Sequence, residues 1–164
     1  DQLGIELKEA KQLIDLYHRV NPLLKVWYTT IQNELRTTRC LTTPLKRKQR
    51  FLDRWGDSLF RSSYSFIPQS TVGDFLNESM RIIYDKYGDE IDIMLQLHDA
   101  LYLQCVDNIE AIERTKYIMT ECMVRPITIG FEEFTIGIDF KMGTHWGDLE
   151  DDVDYDILSI EEEI

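Results

Sequence analysis

The sequence predicts an α+β fold in which long helices pack against an antiparallel sheet made of two hairpins. Three observations lead to this fold class: helical spacing of apolar residues up to about Tyr87, an alternating strand-like stretch after it, and a second β-rich stretch after Pro126. The chain has 164 residues, of which 43% are hydrophobic and 29% are charged, as in an average globular domain. This composition excludes fibrous, collagen-like and wholly disordered proteins.

Two amphipathic helices are predicted at the beginning of the chain. Apolar residues recur at helical spacing over Glu6–Val20, and this helix stops before Pro22. Pro22 suits the first turn of a second helix, which runs toward Thr37. The next stretch, Thr37–Phe51, combines turn-forming residues with a basic cluster, which favours a loop or short hairpin that displays its charges.

A third helical stretch covers Trp55–Tyr87. Pro68 lies inside this stretch, and a proline there removes a backbone donor and clashes with the preceding turn. We therefore expect a kink or a break at this position, with the second half of the helix starting near Gln69 or Ser70.

Two hairpins separated by a helix are predicted in the rest of the chain. The first has the turn His98-Asp99-Ala100, and the second turns within Gly130–Glu133. The predicted elements are, in order, strands over Ile91–Leu97 and Leu101–Val106, a helix over Asn108–Val124, and strands over Ile127–Ile129 and Phe134–Phe140.

The net charge of −12 is distributed unevenly along the chain. Nine acidic residues and no lysine or arginine lie from Asp148 onward, so the preceding 147 residues carry 21 acidic and 18 basic groups. The segment Arg36–Arg61 holds eight basic and two acidic residues, a local charge of +6. Such a segment on a nearly neutral body is typical of a phosphate-binding surface, and an ordinary solvated surface has the same composition.

The three cysteines argue against an extracellular or zinc-binding protein. Cys40, Cys105 and Cys122 are widely spaced and include no Cys-x-x-Cys pair, which favours a reducing compartment. No stretch approaches the roughly 18 apolar residues of a membrane span, and the first residues do not resemble a signal peptide. The expectation is a cytoplasmic protein without a membrane partner.

Asp99 lies at the tip of a predicted hairpin whose arms are too apolar for a surface loop. A carboxylate held on rigid strands suits Mg²⁺, which prefers hard oxygen ligands, although a lone Asp in a hairpin is more often only a turn residue. With Ile93–Leu97 before it and Leu101–Leu103 after it, His98-Asp99 resembles motif C of family A DNA polymerases, which include bacterial DNA polymerase I and its phage relatives.

Further matches to this family occur in the same order on both sides of motif C, from about Leu3 to Trp146. Agreement in order is far more specific than any single motif. Three segments resemble the part just after the fingers helix of the family: Leu3-Gly4-Ile5, Lys8-Glu9-Ala10 and Leu16-Tyr17. The family's helix with Arg and Gln-Gly-Thr is matched by Arg61 with Gln69-Ser70-Thr71 and Asp74. Thr43–Lys48 resembles the Thr-x-x-Gly-Arg-Lys turn, and Gly143-Thr144-His145-Trp146 resembles the Gly-x-x-Trp terminus.

The resemblance implies the palm-type sheet and helices of a larger right-hand polymerase fold. In such enzymes two Mg²⁺ ions bridge the incoming dNTP and the primer 3′-oxygen during transfer to primer-template DNA. By the same resemblance, Asp99 is the catalytic metal ligand and His98 contacts the primer terminus. A host cytoplasm would be the location if the protein is phage-encoded.

The resemblance also implies which residues contact duplex DNA. Arg61, Ser65 and Gln69 would lie near the minor groove, where a polymerase tests base-pair geometry without reading sequence. Arg47 and Lys48 would meet backbone phosphates. For each basic residue, simple surface charge is the competing interpretation.

Three residues depart from the family pattern. Ala100 stands where many members have Glu, so one carboxylate near the metals is absent. Ser65 stands where the family commonly has Asn, which puts one minor-groove hydrogen bond in doubt. Lys46 replaces the usual glycine of the basic turn, so a left-handed backbone there would be strained.

The resemblance implies that the other catalytic carboxylate and the nucleotide helix of the family precede Asp1. The Mg²⁺ ions would then be shared with residues outside this chain, and Asp92 and Asp139 are in-chain candidates for a second ligand. We expect the C-terminal palm portion of a DNA-directed DNA polymerase that needs the N-terminal polymerase part, from the same gene or a separate chain, and that is inactive alone. The alternative is a non-catalytic DNA-binding or scaffold subunit.

Three segments are expected along the chain. Residues 1–54 form a helical segment and basic turn adjoining fingers and palm, and residues 55–146 hold the palm helix, the motif C hairpin, a helix and the terminal hairpin. Residues 147–164 form an acidic tail whose composition is typical of a mobile end. The alternative is that the tail docks to a protein partner through its apolar residues.

Overall fold

The computed structural model describes residues 6–151. Across this range it has four α-helices, eight short strands and one 3₁₀-helix. In chain order the elements are α1 (Leu7–Val20), α2 (Leu23–Thr38), β1 (Cys40–Thr42), β2 (Lys48–Arg50), α3 (Asp57–Tyr87), β3 (Asp92–Leu97), β4 (Ala100–Gln104), α4 (Ile109–Met123), β5 (Ile127–Ile129), β6 (Glu132–Phe134), β7 (Lys141–Met142), the 3₁₀-helix (Trp146–Asp148) and β8 (Glu150–Asp151).

Each strand pairs with its neighbour in the sequence. The pairs β1–β2, β3–β4, β5–β6 and β7–β8 are all antiparallel, and each forms its own two-stranded sheet. The α+β class with antiparallel hairpins is therefore confirmed. The pair β1–β2 is the short hairpin that was one of two alternatives for Thr37–Phe51, and among the described residues β7–β8 is a hairpin that was not expected.

The chain divides into two compact units, with the division after Ser70 inside α3. This division follows packing contacts, whereas the expected boundary after residue 54 follows family segments. The core of the first unit consists of Ile31, Leu35, Leu41, Phe51, Leu59 and Phe66. The core of the second unit consists of Leu76, Ile83, Ile91, Leu101, Ile118, Cys122 and Met123.

α3 is continuous through Pro68, so a break near Gln69 is wrong, and a kink at Pro68 stays a prediction. The proline nitrogen cannot donate to the carbonyl of Tyr64, one turn earlier, and this is the one backbone bond that its ring removes directly. Residues on both sides are packed, with Phe66 in the first core and Leu76 in the second. Burial of these side chains stabilises the helix enough to offset one missing bond.

The second predicted hairpin is present, but the bounds predicted for its second strand are wrong. β6 covers Glu132–Phe134 rather than Phe134–Phe140, because the loop has only two residues, Gly130 and Phe131. Gly130 has φ 67°, the left-handed conformation that such tight turns need. Phe134 pairs with Ile127, and the preceding Pro126 has no N–H, so the ladder ends there.

The Gly-x-x-Trp segment packs against the backbone of Asp148 and against Tyr102 of β4. A Cβ on Gly143 would lie 2.3 Å from the carbonyl oxygen of Asp148, so only glycine fits this approach of backbone to backbone. The ring of Trp146 stacks on that of Tyr102, with centroids 4.6 Å apart. Within the tail that was expected to be mobile, Asp148 lies in the 3₁₀-helix, and Glu150 and Asp151 form β8. Residues 152–164 of this tail lie outside the described residues.

Candidate active-site hairpin and DNA interface

His98 and Asp99 form the two-residue loop between β3 and β4. Leu97 pairs with Ala100, so Ala100 belongs to β4 and the turn is one residue shorter than expected. His98 has φ 54°, a left-handed conformation that two-residue hairpin turns require and that usually falls to Gly, Asn or Asp. The usual Asn-Gly signal is absent here, and His98 and Asp99 occupy the two loop positions.

The hairpin that carries this loop is anchored in the core of the second unit. Ile91 and Leu101 are buried, and Ile93 and Leu103 pack against the same cluster. A β-bulge lies between Ile93 and Leu95, where one extra residue increases the local twist. His98 and Asp99 remain exposed at the tip, so a carboxylate is presented to solvent from strands that packing holds in place.

Asp99 offers a single carboxylate at this tip. Within residues 6–151 no three His, Cys, Asp or Glu side chains come close enough together to hold a metal ion. Asp92 pairs with Gln104 at the opposite end of the hairpin, about 17 Å of strand away from the tip at roughly 3.3 Å per residue. Asp92 is therefore unsuited to share an ion with Asp99.

Arg61, Ser65 and Gln69 share one face of α3 because they are four residues apart. Arg61 and Gln69 are exposed, and Ser65 is half-buried. The Ser65 hydroxyl lies 3.1 Å from the Arg61 carbonyl and 3.2 Å from the Ser62 carbonyl. Its proton is thus donated within the helix, which leaves the oxygen as an acceptor for a DNA group.

The basic turn between β1 and β2 is built around a buried threonine. The Thr43 N–H donates to the Arg47 carbonyl at 2.8 Å, and the Thr43 side-chain oxygen accepts from the Arg47 N–H at 3.0 Å. Lys46 has φ 73°, so the backbone is left-handed at this position and a lysine occupies it. Arg47 and Lys48 are exposed on the outside of this turn.

The predicted site residues fall into both units. Arg47, Lys48, Arg61, Ser65 and Gln69 belong to the first unit, whose basic segment has a charge of +6. The motif C hairpin belongs to the second. In the first unit the arrangement suits phosphate binding, and in the second it presents one hard oxygen ligand.

A known protein family matches most of the chain. The model of the family described as DNA polymerase family A matches residues 1–148 of the 164-residue chain. This chain belongs to DNA polymerase family A. The resemblance seen in the motifs is confirmed, and the chain has a DNA polymerase-related function in a nucleotidyltransferase lineage. No curated protein matches the chain closely enough to count as a relative.

Membership of DNA polymerase family A also indicates cofactor and substrates. Family A polymerases generally use Mg²⁺, and the family acts with DNA and dNTPs. Asp99 fits as one oxygen ligand of such an ion, and the described residues do not complete a metal site by themselves. No helix in the described part of the chain combines the length and apolarity needed to cross a membrane.

Proposed function

We propose that this chain is the C-terminal palm portion of a cytoplasmic DNA-directed DNA polymerase and works only together with an N-terminal polymerase part. Asp99 is the catalytic residue and supplies one ligand to Mg²⁺. The two Mg²⁺ ions, when bound, stabilise the charge that develops as the primer 3′-oxygen displaces pyrophosphate from the dNTP. The observation that carries this proposal is the exposed His98-Asp99 tip of a core-anchored hairpin in a family A chain.

Exposed apolar side chains in each of the two units support the proposal that a further polymerase part covers them. Met94 is 60% exposed, and Leu95 and Leu97 are also exposed on a strand that, within residues 6–151, pairs on one edge only. α1 contains no buried residue although Leu13, Ile14 and other large apolar side chains lie along it. Exposed apolar strands and helices of this kind are typical of surfaces that another protein segment covers.

The other predicted residues have roles in binding the primer-template. His98 contacts the primer terminus, and Arg61, Ser65 and Gln69 lie along the minor groove of the duplex. Arg47 binds phosphates of the DNA backbone through its positive charge. Lys48, which is exposed beside it in β2, has the same role.

The decisive experiment is the Asp99→Ala substitution in the assembly of this chain with its N-terminal part. Primer extension should fall more than about a hundredfold, because a ligand that stabilises transition-state charge is lost. Primer-template affinity should change less than about twofold, since no phosphate contact is removed. Asp92→Ala, on the same hairpin but at its far end, is the matched control and should keep normal extension.

Near-normal extension by Asp99→Ala would contradict the proposal and favour a non-catalytic DNA-binding or scaffold subunit, a role that the lone carboxylate and Ala100 would fit. The isolated chain should incorporate no nucleotide. Robust incorporation by the isolated chain would show that the metal site is complete without the N-terminal part.

A further inference from the structure

Trp55 is an exposed aromatic residue in the most basic part of the chain. Its residue surface is 46% exposed, and it lies within Arg36–Arg61, where eight basic residues face two acidic ones. Proteins bind single-stranded nucleic acid by combining cations along the backbone with aromatic rings on which unpaired bases stack. Both components are present here on one unit of the protein.

Two neighbours hold the indole ring of Trp55. The Phe60 ring meets it edge to face, with centroids 5.1 Å apart and planes at 90°. The Arg36 guanidinium carbon lies 5.4 Å from the indole centroid. These contacts restrict the rotamers of Trp55 before any ligand binds, so less entropy is lost when a base stacks on the ring.

The loop that carries Trp55 is fastened to the end of α2. The Phe51 N–H donates to the Arg39 carbonyl at 2.8 Å, and the Arg39 guanidinium donates to the carbonyl oxygen of Asp53. The buried Phe51 ring also packs edge to face on Phe66, with centroids 5.6 Å apart. The loop that leads to Trp55 is therefore anchored in the core at Phe51 and to the end of α2 at Asp53.

Cations that could meet phosphates lie close to Trp55 in the sequence, and Arg36 also contacts its ring. Among the residues that the structure describes, Arg36, Lys48, Arg50 and Arg54 form no ion pair. All four are exposed, so their charges are available to a polyanion.

Trp146 shows why charge decides between the two exposed tryptophans. It is 56% exposed and stacks on Tyr102, so it resembles Trp55 in exposure and aromatic support. Its chain neighbours are the acidic Asp148, Glu150 and Asp151, which repel a phosphate backbone. Trp146 is therefore a matched control for Trp55.

We propose that Trp55 is a stacking site for an unpaired base of single-stranded DNA, with Arg36 and the neighbouring cations binding the flanking phosphates. This site goes beyond the proposed function, because it requires neither Asp99 nor Mg²⁺ nor the N-terminal polymerase part. Base stacking of this kind tolerates any sequence, since every base has an aromatic face.

The test measures binding of the full 164-residue chain to a labelled 12-nucleotide oligo(dT) and to a 12-base-pair duplex by fluorescence anisotropy, without divalent cations. Trp55→Ala should weaken oligo(dT) binding about tenfold and leave duplex binding unchanged. The salt dependence of oligo(dT) binding should keep its slope, because no phosphate contact is lost. Trp55→Phe should retain affinity within about threefold, and Trp146→Ala should bind as the parent does.

Unchanged oligo(dT) affinity in Trp55→Ala, or an equal loss for oligo(dT) and duplex, would overturn the proposal. If Trp55→Ala does not fold, a Trp27→Phe/Trp146→Phe variant leaves Trp55 as the remaining tryptophan. Its fluorescence should then be quenched saturably by oligo(dT), and absence of quenching would overturn the stacking site. Primer extension by Asp99→Ala does not enter this measurement, so the two proposals can fail separately.

Discussion

Lys46 has a backbone conformation that glycine adopts more easily. Its φ of 73° lies in the left-handed region, which costs a residue with a Cβ roughly 1–2 kcal/mol. Glycine has no such cost but loses more chain entropy on folding. The net difference in folding free energy between lysine and glycine is therefore smaller than the strain alone. The position shows that this chain accepts local strain in the turn that presents Arg47 and Lys48.

At the residue scale, Lys46→Gly should therefore stabilise the protein by about 1 kcal/mol. Urea unfolding of the chain measures this as a higher midpoint. Lys46→Ala is the matched control, because it removes the same charge and keeps the Cβ, and it should show no comparable gain. An equal gain in both variants would mean that charge repulsion, rather than backbone strain, destabilises the turn.

At the element scale, α3 is a helix of 31 residues with a proline in its interior. Pro68 is exposed, so its substitution changes the helix without opening a cavity in either core. Pro68→Ala restores an N–H that can donate to the Tyr64 carbonyl, and alanine is favoured over proline in helices by about 3 kcal/mol.

We expect Pro68→Ala to raise the free energy of unfolding by about 2 kcal/mol, because the greater freedom of alanine in the unfolded chain offsets part of the gain. Chemical denaturation followed by far-ultraviolet circular dichroism checks this. Gln69→Ala, at the next exposed position of α3, is the control and should change stability by less than about 0.5 kcal/mol. A Pro68→Ala variant that is less stable than the parent would contradict the account of α3 given above.

At the scale of the whole molecule, charged side chains connect the elements of the second unit. The Arg114 guanidinium donates to both carboxylate oxygens of Glu90, at 2.9 and 3.2 Å, and this lowers the pKa of Glu90. The Tyr87 hydroxyl donates to Glu121 at 2.6 Å, which lowers the pKa of Glu121 and raises the pKa of Tyr87 to about 12. Lys86 also donates to Glu121, at 3.4 Å.

These pKa shifts predict a loss of stability in acid. A carboxyl group whose pKa is lowered by folding stabilises the protein above its ordinary pKa, near 4.5 for Glu90 and Glu121, and that stabilisation disappears as the pH falls through the lower folded pKa. The melting temperature should fall between pH 5 and pH 3, and Glu121→Gln should make this fall shallower. Asp89→Asn is the control for the loss of one negative charge, because Asp89 is exposed and forms no ion pair among the described residues.

The locally patterned elements could be predicted closely from sequence. α1 ends at Val20 as expected, because Pro22 follows, and α4 begins after the Asn108 cap, whose side-chain oxygen accepts from the Ala111 N–H. The motif C hairpin was found for the same reason, since its strands alternate and its tip carries His98-Asp99. The functional roles of the site residues remain proposals, because they depend on the N-terminal part and on DNA.

Other features depend on contacts that no local pattern contains. The continuity of α3 through Pro68 depends on side chains that two separate cores bury on either side. The setting of Trp55 depends on Arg36 and Phe60, which different helices contribute. None of the family motifs in the sequence includes Trp55, although an aromatic residue inside a basic run is a signal that the sequence contains.

The sequence by itself determined the family, the element types and the separation of a basic segment from an acidic end, because order of motifs, periodicity and charge are properties of the chain alone. Only the tertiary structure decided that Ala100 belongs to β4, that β6 ends at Phe134 and that α3 does not break. Register and helix continuity are set by which side chains are buried together, and burial joins residues far apart in the sequence.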